Sequence, residues 1–514
     1  MRNFVNYINF TYTGGMNDTA TIDQILPTEA VLLQNGYIRN QGKFQKRSGT
    51  VLVGDDTGNA AILGQCAWTT PSGTKYFLRM VGTTLYYLNS STWTAMDSGF
   101  TTGLPTEFVA ANGKLYIFNG TDYTHSWDGA AVTLNSCLTD MGTTIPTGRY
   151  AVYWKNYMLV WGGVKYDGNT YKSRCAFSNL GAPDTFTTAT DYFDVNLKDG
   201  FDGTGIYGLD KFLILGKERS VNIMTGTNPT EWKLTASVNN LVIVENSIGV
   251  ASHRSMIQVG DDIWYMGTDG MIHSIRRNEQ GATPLSGIVS NKVRTTLGNI
   301  NMTHIGKVAA TQFNGRIYFA FPNTTSTYNN KILVADTSIV LEDTYNPHPW
   351  VVYTGWNPAV WTIYTPSSTP QLYYGEASAD SLTFQCETGD IDNASAIDFD
   401  YKSGMIDLQK RDEAKTFRFL IASGQSGGNY DISISSSIDG ETYSTVGTLN
   451  LSSGVLWNSG VWGTSTWGYS SDKRQKYPLA IASKKLQLRF RNNAASQPVS
   501  IYGWTMAVKP KKVK

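Results

Sequence analysis

Residues 308–321 read VAATQFNGRIYFAF. A short apolar strand runs into Asn314-Gly315, a dipeptide that accepts the positive φ of a tight hairpin turn. The strand that follows is apolar on both faces. Six further stretches repeat the design: FLRMVGTTLYYL (77–88), FVAANGKLYIF (108–118), YAVYWKNYMLVW (150–161), IYGLDKFLIL (206–215), MIQVGDDIWYM (256–266) and WTIYTPSSTPQLYYG (361–375). The first apolar residues after the turns are Leu85, Leu115, Met158, Phe212, Ile263, Ile317 and Leu372, at intervals of 30, 43, 54, 51, 54 and 55 residues. Further strand-like segments follow several hairpins, with Trp93, Trp127, Trp232 and Trp350 close by. Four strands per ~40–50 residues is the spacing of a β-propeller blade.

The apolar character of each second strand supports that choice. A half-solvated antiparallel strand alternates apolar with polar, whereas LYIF, FLIL and IWYM suit a sheet packed between two other sheets. One four-stranded unit cannot bury both faces alone. Radial closure of several units does so and leaves few open edges. The expectation is an all-β chain with a propeller of six or seven blades over residues 66–390. The first interval, 30 residues, is too short for a blade and leaves open six blades or a blade split between distant strands.

The flanks read differently. Segments such as KTFRFLIAS, YDISISSSIDGETYSTVGTL and LQLRFRN alternate apolar with polar, which predicts an antiparallel β-sandwich over 391–514, ending in a basic tail. Residues 1–65 read as an extended N-terminal arm with little core of its own. Such an arm is expected to lie on a neighbouring subunit or adaptor, so deleting residues 1–40 is expected to impair assembly more than monomer folding. The best helical fragment in the chain is DQILPTEAVLLQNG (23–36), and Pro27 limits it.

Composition narrows the function. The 514 residues carry 42 Lys+Arg against 41 Asp+Glu, a formal net charge of +1, which argues against a chain that grips duplex DNA through a basic face. Asn3, Asn6 and Asn9 break any apolar core of a signal peptide, and no apolar run is long enough for a membrane-spanning helix. Cys66, Cys137, Cys175 and Cys386 are widely spaced, without the pairing of a zinc ribbon. His125, His253, His273, His304 and His348 are each isolated, and neither a nucleophile elbow nor a phosphate loop is present. No cofactor is expected.

Other candidates are weak as catalysts. Ser437-Ile-Asp439-Gly440-Glu-Thr442-Tyr443 approaches the Asp-box of sialidase propellers but is one residue short, and Asp439-Gly440 reads as a type I′ hairpin turn. Carboxylate pairs at Asp261-Asp262, Asp390-Asp392 and Asp398-Asp400 lie at turns or strand ends, where Asp is common. Trp457, Trp462 and Trp467 stand in a Gly/Ser-rich segment and are candidates for a subunit contact, packing under a loop, or stacking on sugar. Lys509, Lys511, Lys512 and Lys514 form a basic tail suited to solvent or to weak contact with phosphate or an acidic partner.

The N-terminal segment carries a resemblance. Gly14, Gly15, Met16 and Asn17, then Leu26, Glu29, Ala30, Leu33 and Asn35, then Lys46, Arg47 and Gly49 stand in the order of a motif that opens bacteriophage tail proteins. At the other end the SIDGETY hairpin, the W-x-S-G-x-W-G segment Trp457–Gly463 and the strand Ile501–Trp504 are similar to the same group. The family usually has leucine where Met16 stands. The chain thus resembles the nozzle, or tail-stabilisation, proteins of short-tailed phages. That resemblance implies a homo-oligomeric ring, usually of six copies, below the head-to-tail adaptor. The ring extends and gates the DNA ejection channel in the virion tail, holds fibres or spikes, and performs no catalysis. Made in the host cytoplasm, it would meet double-stranded DNA only in passage and would not insert in a membrane. Lys46 and Arg47 join the tryptophans and tail lysines as candidate interaction residues. The alternative readings are a host-facing, carbohydrate-binding fibre or spike component and, behind it, a propeller glycosidase.

Overall fold

Tight turns set the register of the sheets. Asn112-Gly113 (φ 45° and 76°), Lys155-Asn156 (49° and 64°) and Asn314-Gly315 (47° and 72°) take the paired left-handed conformations that a type I′ turn requires. Asp439-Gly440 does the same (50° and 92°), joining Asp431–Ile438 to Ser444–Asn450, so the Asp-box-like stretch is a hairpin turn. A computed structural model of the chain describes residues 5–510 apart from 40–41, 131, 188, 234–239, 277–284, 379, 409–411, 426 and 453–471. The described residues are nearly all β, with two single-turn α-helices, Pro229–Trp232 and Arg294–Leu297. No helix among them is long and apolar enough to cross a membrane.

Among the described residues six four-stranded antiparallel sheets stand alone, over 62–98, 107–140, 150–194, 203–245, 257–288 and 358–386, the last completed by Thr50–Leu52. A seventh four-stranded unit, 309–354, is one end of a nine-stranded sheet. In chain order these are blades 1 to 7, with 309–354 as blade 6 and 358–386 as blade 7. Neighbouring first strands pack side by side, except between blades 4 and 5, where the turn His253–Ser255 packs against Gly203–Gly208, and Pro358–Tyr364 returns against Ile62–Thr69 to close the ring. The closing blade is split: Thr50–Leu52, from before blade 1, pairs with Thr383–Cys386. The 30-residue interval has a local cause. The stretch 77–88 is the second hairpin of blade 1, not the first, because its first hairpin turns through the longer loop 70–74. The seven sequence copies therefore mark seven units, with one copy a strand out of phase.

The second strands lie where their two-sided apolar pattern places them. Tyr157–Trp161 and Phe212–Lys217 are buried at every position, and Arg316–Phe321 at all but the first. Trp93, Trp127, Trp232 and Trp350 are buried between blades or under their loops.

The sandwich grows directly out of blade 6. The outer strand Trp350–Thr354 pairs in parallel with Leu32–Gln34, which pairs with Phe399–Lys402, followed by Leu486–Asn492, Asp431–Ile438 and Ser444–Asn450. Facing it is a seven-stranded sheet that includes Asn6–Phe10, Gly36–Arg39, Lys43–Lys46, Lys415–Gln425 and Trp504–Pro510. One apolar core runs across the junction, from Tyr318, Val334 and Tyr374 in the blades to Phe399, Phe417 and Ile434 in the sandwich.

The N-terminal segment is extended, but it does not wait for a neighbour to bury it. Phe10, Tyr12, Ala30, Leu33, Ile38 and Phe44 all lie in that shared core, and five of its strands complete sheets of the same chain. The fragment 23–36 is not helical. Glu29–Ala30 and Leu32–Gln34 are strands, because Pro27 breaks a helix and the open edges of Trp350–Thr354 and Phe399–Lys402 offer Leu32–Gln34 a ladder on both sides.

Candidate functional site

The residues that carry the N-terminal motif converge where propeller, arm and sandwich meet. Asn35 takes φ 53°, a left-handed conformation that Asn tolerates better than most residues. Its backbone N–H donates to Val352 O (2.8 Å) and its carbonyl accepts from Arg47 N (3.0 Å). Its amide Oδ1 accepts from Thr354 N (2.8 Å) and Arg47 Nε (3.1 Å), while Nδ2 donates to Thr354 Oγ1 (2.8 Å) and Asp398 O (3.0 Å). One side chain therefore ties the end of blade 6 to the arm and to the first sandwich strand.

Arg47 completes the junction. Nη1 donates to Asp392 Oδ1 (2.7 Å) and Ser48 O (3.0 Å), and Nη2 to Asp392 Oδ2 (2.5 Å) and Thr354 O (2.8 Å). With the Asn35 bond, all five guanidinium hydrogens are used. The charge lies over the rings of Trp356 (4.4 Å) and Tyr353 (5.3 Å), and Trp356 Nε1 donates to the same Asp392 (2.8 Å). The Arg47 side chain is 2% exposed and that of Asp392 12%, so this is a buried ion pair with every donor matched.

The other motif residues have equally local reasons. Asn17 Nδ2 donates to Glu29 Oε2 (2.9 Å), and Lys292 pairs with Glu29 Oε1 (3.1 Å). A Cβ on Gly15 (φ 75°) would stand 2.7 Å from Trp350 N, and one on Gly49 would stand 1.7 Å from Ile391 O. Backbone atoms at those distances admit glycine only.

Lys46 and Arg47 therefore do not present themselves to a partner; both point inward. Lys46 Nζ donates to Asn492 Oδ1 (2.9 Å) and Ala494 O (3.0 Å). Burial, reinforced by the neighbouring Arg47 charge, lowers its pKa to about 8. The sign follows from linkage. Between pH ~8 and the ordinary lysine value of ~10.4, the unfolded chain binds more protons at this site than the folded one, so stability from this group rises with pH across that window. Urea unfolding from pH 7.5 to 10 should show that rise in the native chain and a flatter profile in Lys46→Met. Equal slopes would contradict the assignment.

Exposed positive charge instead lies beside the junction, in a groove of about 530 Å³ lined by Tyr37, Arg39, Lys43, Gln45, Arg316 and Asp336 among others. The Tyr37 ring sits near the Arg39 and Arg316 guanidiniums (4.8 and 4.2 Å), and Arg316 is held by Glu387. Sequence reading passed over Arg39 and Lys43 because they belong to no motif, only to the two strands flanking a hairpin. Lys509 lies half-buried in the last strand, Trp504–Pro510, instead of a free tail. Trp457, Trp462, Trp467, Lys511, Lys512 and Lys514 fall outside the described residues. Three of these carboxylates are held structurally: Asp392 by Arg47, Asp398 by Arg491 (2.7 Å) and Asp400 by Arg489 (2.7 Å).

No protein-family model matches the chain, and no curated protein sequence does. Among solved structures, a chain of a mitotic checkpoint complex is similar over 65% of this chain and 93% of its own, at 10% identity and a TM-score of 0.40. The Neurospora crassa Pan2 WD40 domain is similar over 69% and 99%, at 8% identity and a TM-score of 0.37. A glycoside hydrolase is similar over 89% and 99%, at 12% identity and a TM-score of 0.26. The chain is a β-propeller; likeness at these levels carries nothing about its activity.

Proposed function

We propose that the chain is a structural virion protein, the subunit of a tail nozzle ring that continues the DNA channel below the head-to-tail adaptor of a short-tailed phage. What supports the reading is that the residues of the phage-type motif are the ones on which the junction depends. Asn35 and Arg47 tie blade 6 to the arm and to the start of the sandwich, and Leu33 lies in their shared core. Gly15 and Gly49 pack against the backbone at Trp350 and Ile391, and Glu29 pairs with Asn17 and Lys292. A shared motif of this kind signals a shared architecture, because its parts serve one junction.

The architecture suits the role. Propeller and sandwich share a sheet and a core, so each subunit is a stiff block with loops on several faces, able to bear load in a ring. The charge balance of 42 against 41 fits a conduit, since each Lys or Arg contact with phosphate adds salt-sensitive retention of DNA that has to pass. In this role the chain has no catalytic step and needs no cofactor; its partners are further copies of itself, the adaptor ring, and fibres or spikes. A ring of identical subunits uses a heterologous, closed interface. Native mass spectrometry across a concentration series is expected to show one closed species, about six chain masses, in equilibrium with monomer. A monomer at every concentration, with no stepwise or closed assembly, would overturn the reading.

A further inference from the structure

The near-neutral charge of the whole chain hides a segregation. Residues 50–390, which build the propeller, carry 21 Lys+Arg against 28 Asp+Glu. The arm and sandwich, 1–49 and 391–514, carry 21 against 13. A basic body is thus joined to an acidic one.

The basic charge gathers on one surface. Phe44, Ile501 and Gly424 are cross-strand partners on the core side of the seven-stranded sheet, so their neighbours along each strand point outward. Register carries that outer face across the sheet: Arg39 lies opposite Lys43, Arg474 opposite Ser423, Lys476 opposite Ile421 and Lys509 opposite Thr416. Arg418, at a bulge in Lys415–Gln425, is exposed as well. None of these six cations takes part in an ion pair among the described residues. The carboxylate on this face, Asp472, lies opposite Gln425 and accepts from the Tyr502 hydroxyl (2.6 Å). Two of the ammonium groups rest on aromatic rings, Lys43 over Tyr502 (4.8 Å) and Lys476 over Phe419 (3.9 Å), and Tyr7 beside Phe419 is exposed. Charge on an edge strand alone guards it against pairing, but here it runs from Gly36–Arg39 through Lys43–Lys46 and Lys415–Gln425 to the edge Asp472–Ser483. Like charges gathered on one face repel one another, and contact with an anionic surface relieves that repulsion.

Such a surface lies at the other end of the same chain. Blade 6 borders the sandwich, and blade 2 stands three blades further round a ring of seven, nearly opposite. On its rim Asp122 and Asp140 line one hollow with Tyr123 and with Ser98 of blade 1. Asp97 precedes that serine on the outermost strand of blade 1, Thr92–Ser98. None of these three carboxylates is in an ion pair among the described residues, and Tyr123 and Leu134 are exposed near them. Basic face and acidic rim stand at opposite ends of one stiff body, so they do not meet within a single copy.

We propose that copies of the chain dock head to tail, the outer face of the seven-stranded sheet of one copy against the rim of blades 1 and 2 of the next, with Arg474 and Lys476 facing Asp97 and Asp140. The inference rests on the ring reading and assigns the interface it uses. A contact between two different surfaces is heterologous, the kind that closes into a ring.

Sedimentation velocity on the full chain in about 50 and about 500 mM NaCl tests it, and the association constant is expected to fall about tenfold or more over that range. Arg474→Glu with Lys476→Glu sets acid against acid, and Asp97→Lys with Asp140→Lys sets base against base. Each double variant alone is expected to associate about tenfold or more weakly than the native chain. An equimolar mixture of the two is expected to recover assembly, because each then offers the charge the other needs; a damaged fold would not be rescued in this way. Assembly that ignores salt, persists in a folded variant or fails to return in the mixture would overturn the interface and leave the ring reading standing. A native chain that is monomeric at every concentration would remove both. Assembly unchanged in both variants, with binding of a short DNA duplex lost in Arg474→Glu with Lys476→Glu, would overturn the proposal in favour of a phosphate-binding face. If one variant fails to fold, the other and the salt series still decide.

Discussion

Deletion of residues 1–40 is expected to abolish folding of the chain, not merely its assembly. The deletion removes Leu32–Gln34 from the interior of the nine-stranded sheet and leaves Trp350–Thr354 and Phe399–Lys402 without the strand that joins them. It also removes Phe10, Tyr12, Leu33 and Ile38 from the shared core. Each fully buried side chain of that size contributes about 1.5–3 kcal/mol, so the four together rival the ~5–15 kcal/mol that separates a folded from an unfolded protein. Far-UV circular dichroism and proton NMR on the truncated chain should show loss of dispersed tertiary structure or insolubility. A soluble, cooperatively unfolding truncated monomer would return the segment to the role of a free assembly arm.

Arg47→Met is expected to be the most damaging single substitution at the junction, at about 3–5 kcal/mol. The reason is less the loss of Arg47 than what it leaves behind. Asp392 would remain 12% exposed with no cation, and Thr354 O, Ser48 O and Asn35 Oδ1 would each lose a donor. Arg47→Lys should also cost, because a single ammonium cannot make the five bonds of the planar fork. The double variant Arg47→Met with Asp392→Leu should recover part of the loss, since it leaves no buried charge unpaired. Urea midpoints of the three variants and the native chain decide the matter. A loss under about 1 kcal/mol in Arg47→Met, or a double variant no more stable than Arg47→Met alone, would contradict the assignment.

How much of this was legible in the sequence depended on distance along the chain. The blades were readable because each hairpin is local: the two-sided apolar strand and its turn lie within a dozen residues, as at 308–321. Phase was lost only in blade 1, where the loop 70–74 hides the first hairpin and the second one looks like a repeat of its own. The junction was legible as a string of motif residues but not as a place. Asn35 meets Thr354 across 319 positions and Arg47 meets Asp392 across 345, and no periodicity spans that interval. The same lysine and arginine that looked like exposed interaction residues are buried for that reason: their partners come from the other end of the chain. The basic sheet face was hidden for a similar cause. Arg39, Arg474 and Lys509 come from distant strands, and only the register of the sheet puts them on one side.

As the proposed nozzle subunit, the chain is expected to close into a ring on the tail axis. Cryo-electron microscopy of the purified chain, alone and mixed with adaptor rings of a short-tailed phage, tests it most directly. The expected result is a closed ring of equivalent subunits stacked coaxially on the adaptor, with an open bore along the shared axis. Isolated single subunits beside bare adaptor rings, at concentrations where both are abundant, would contradict it.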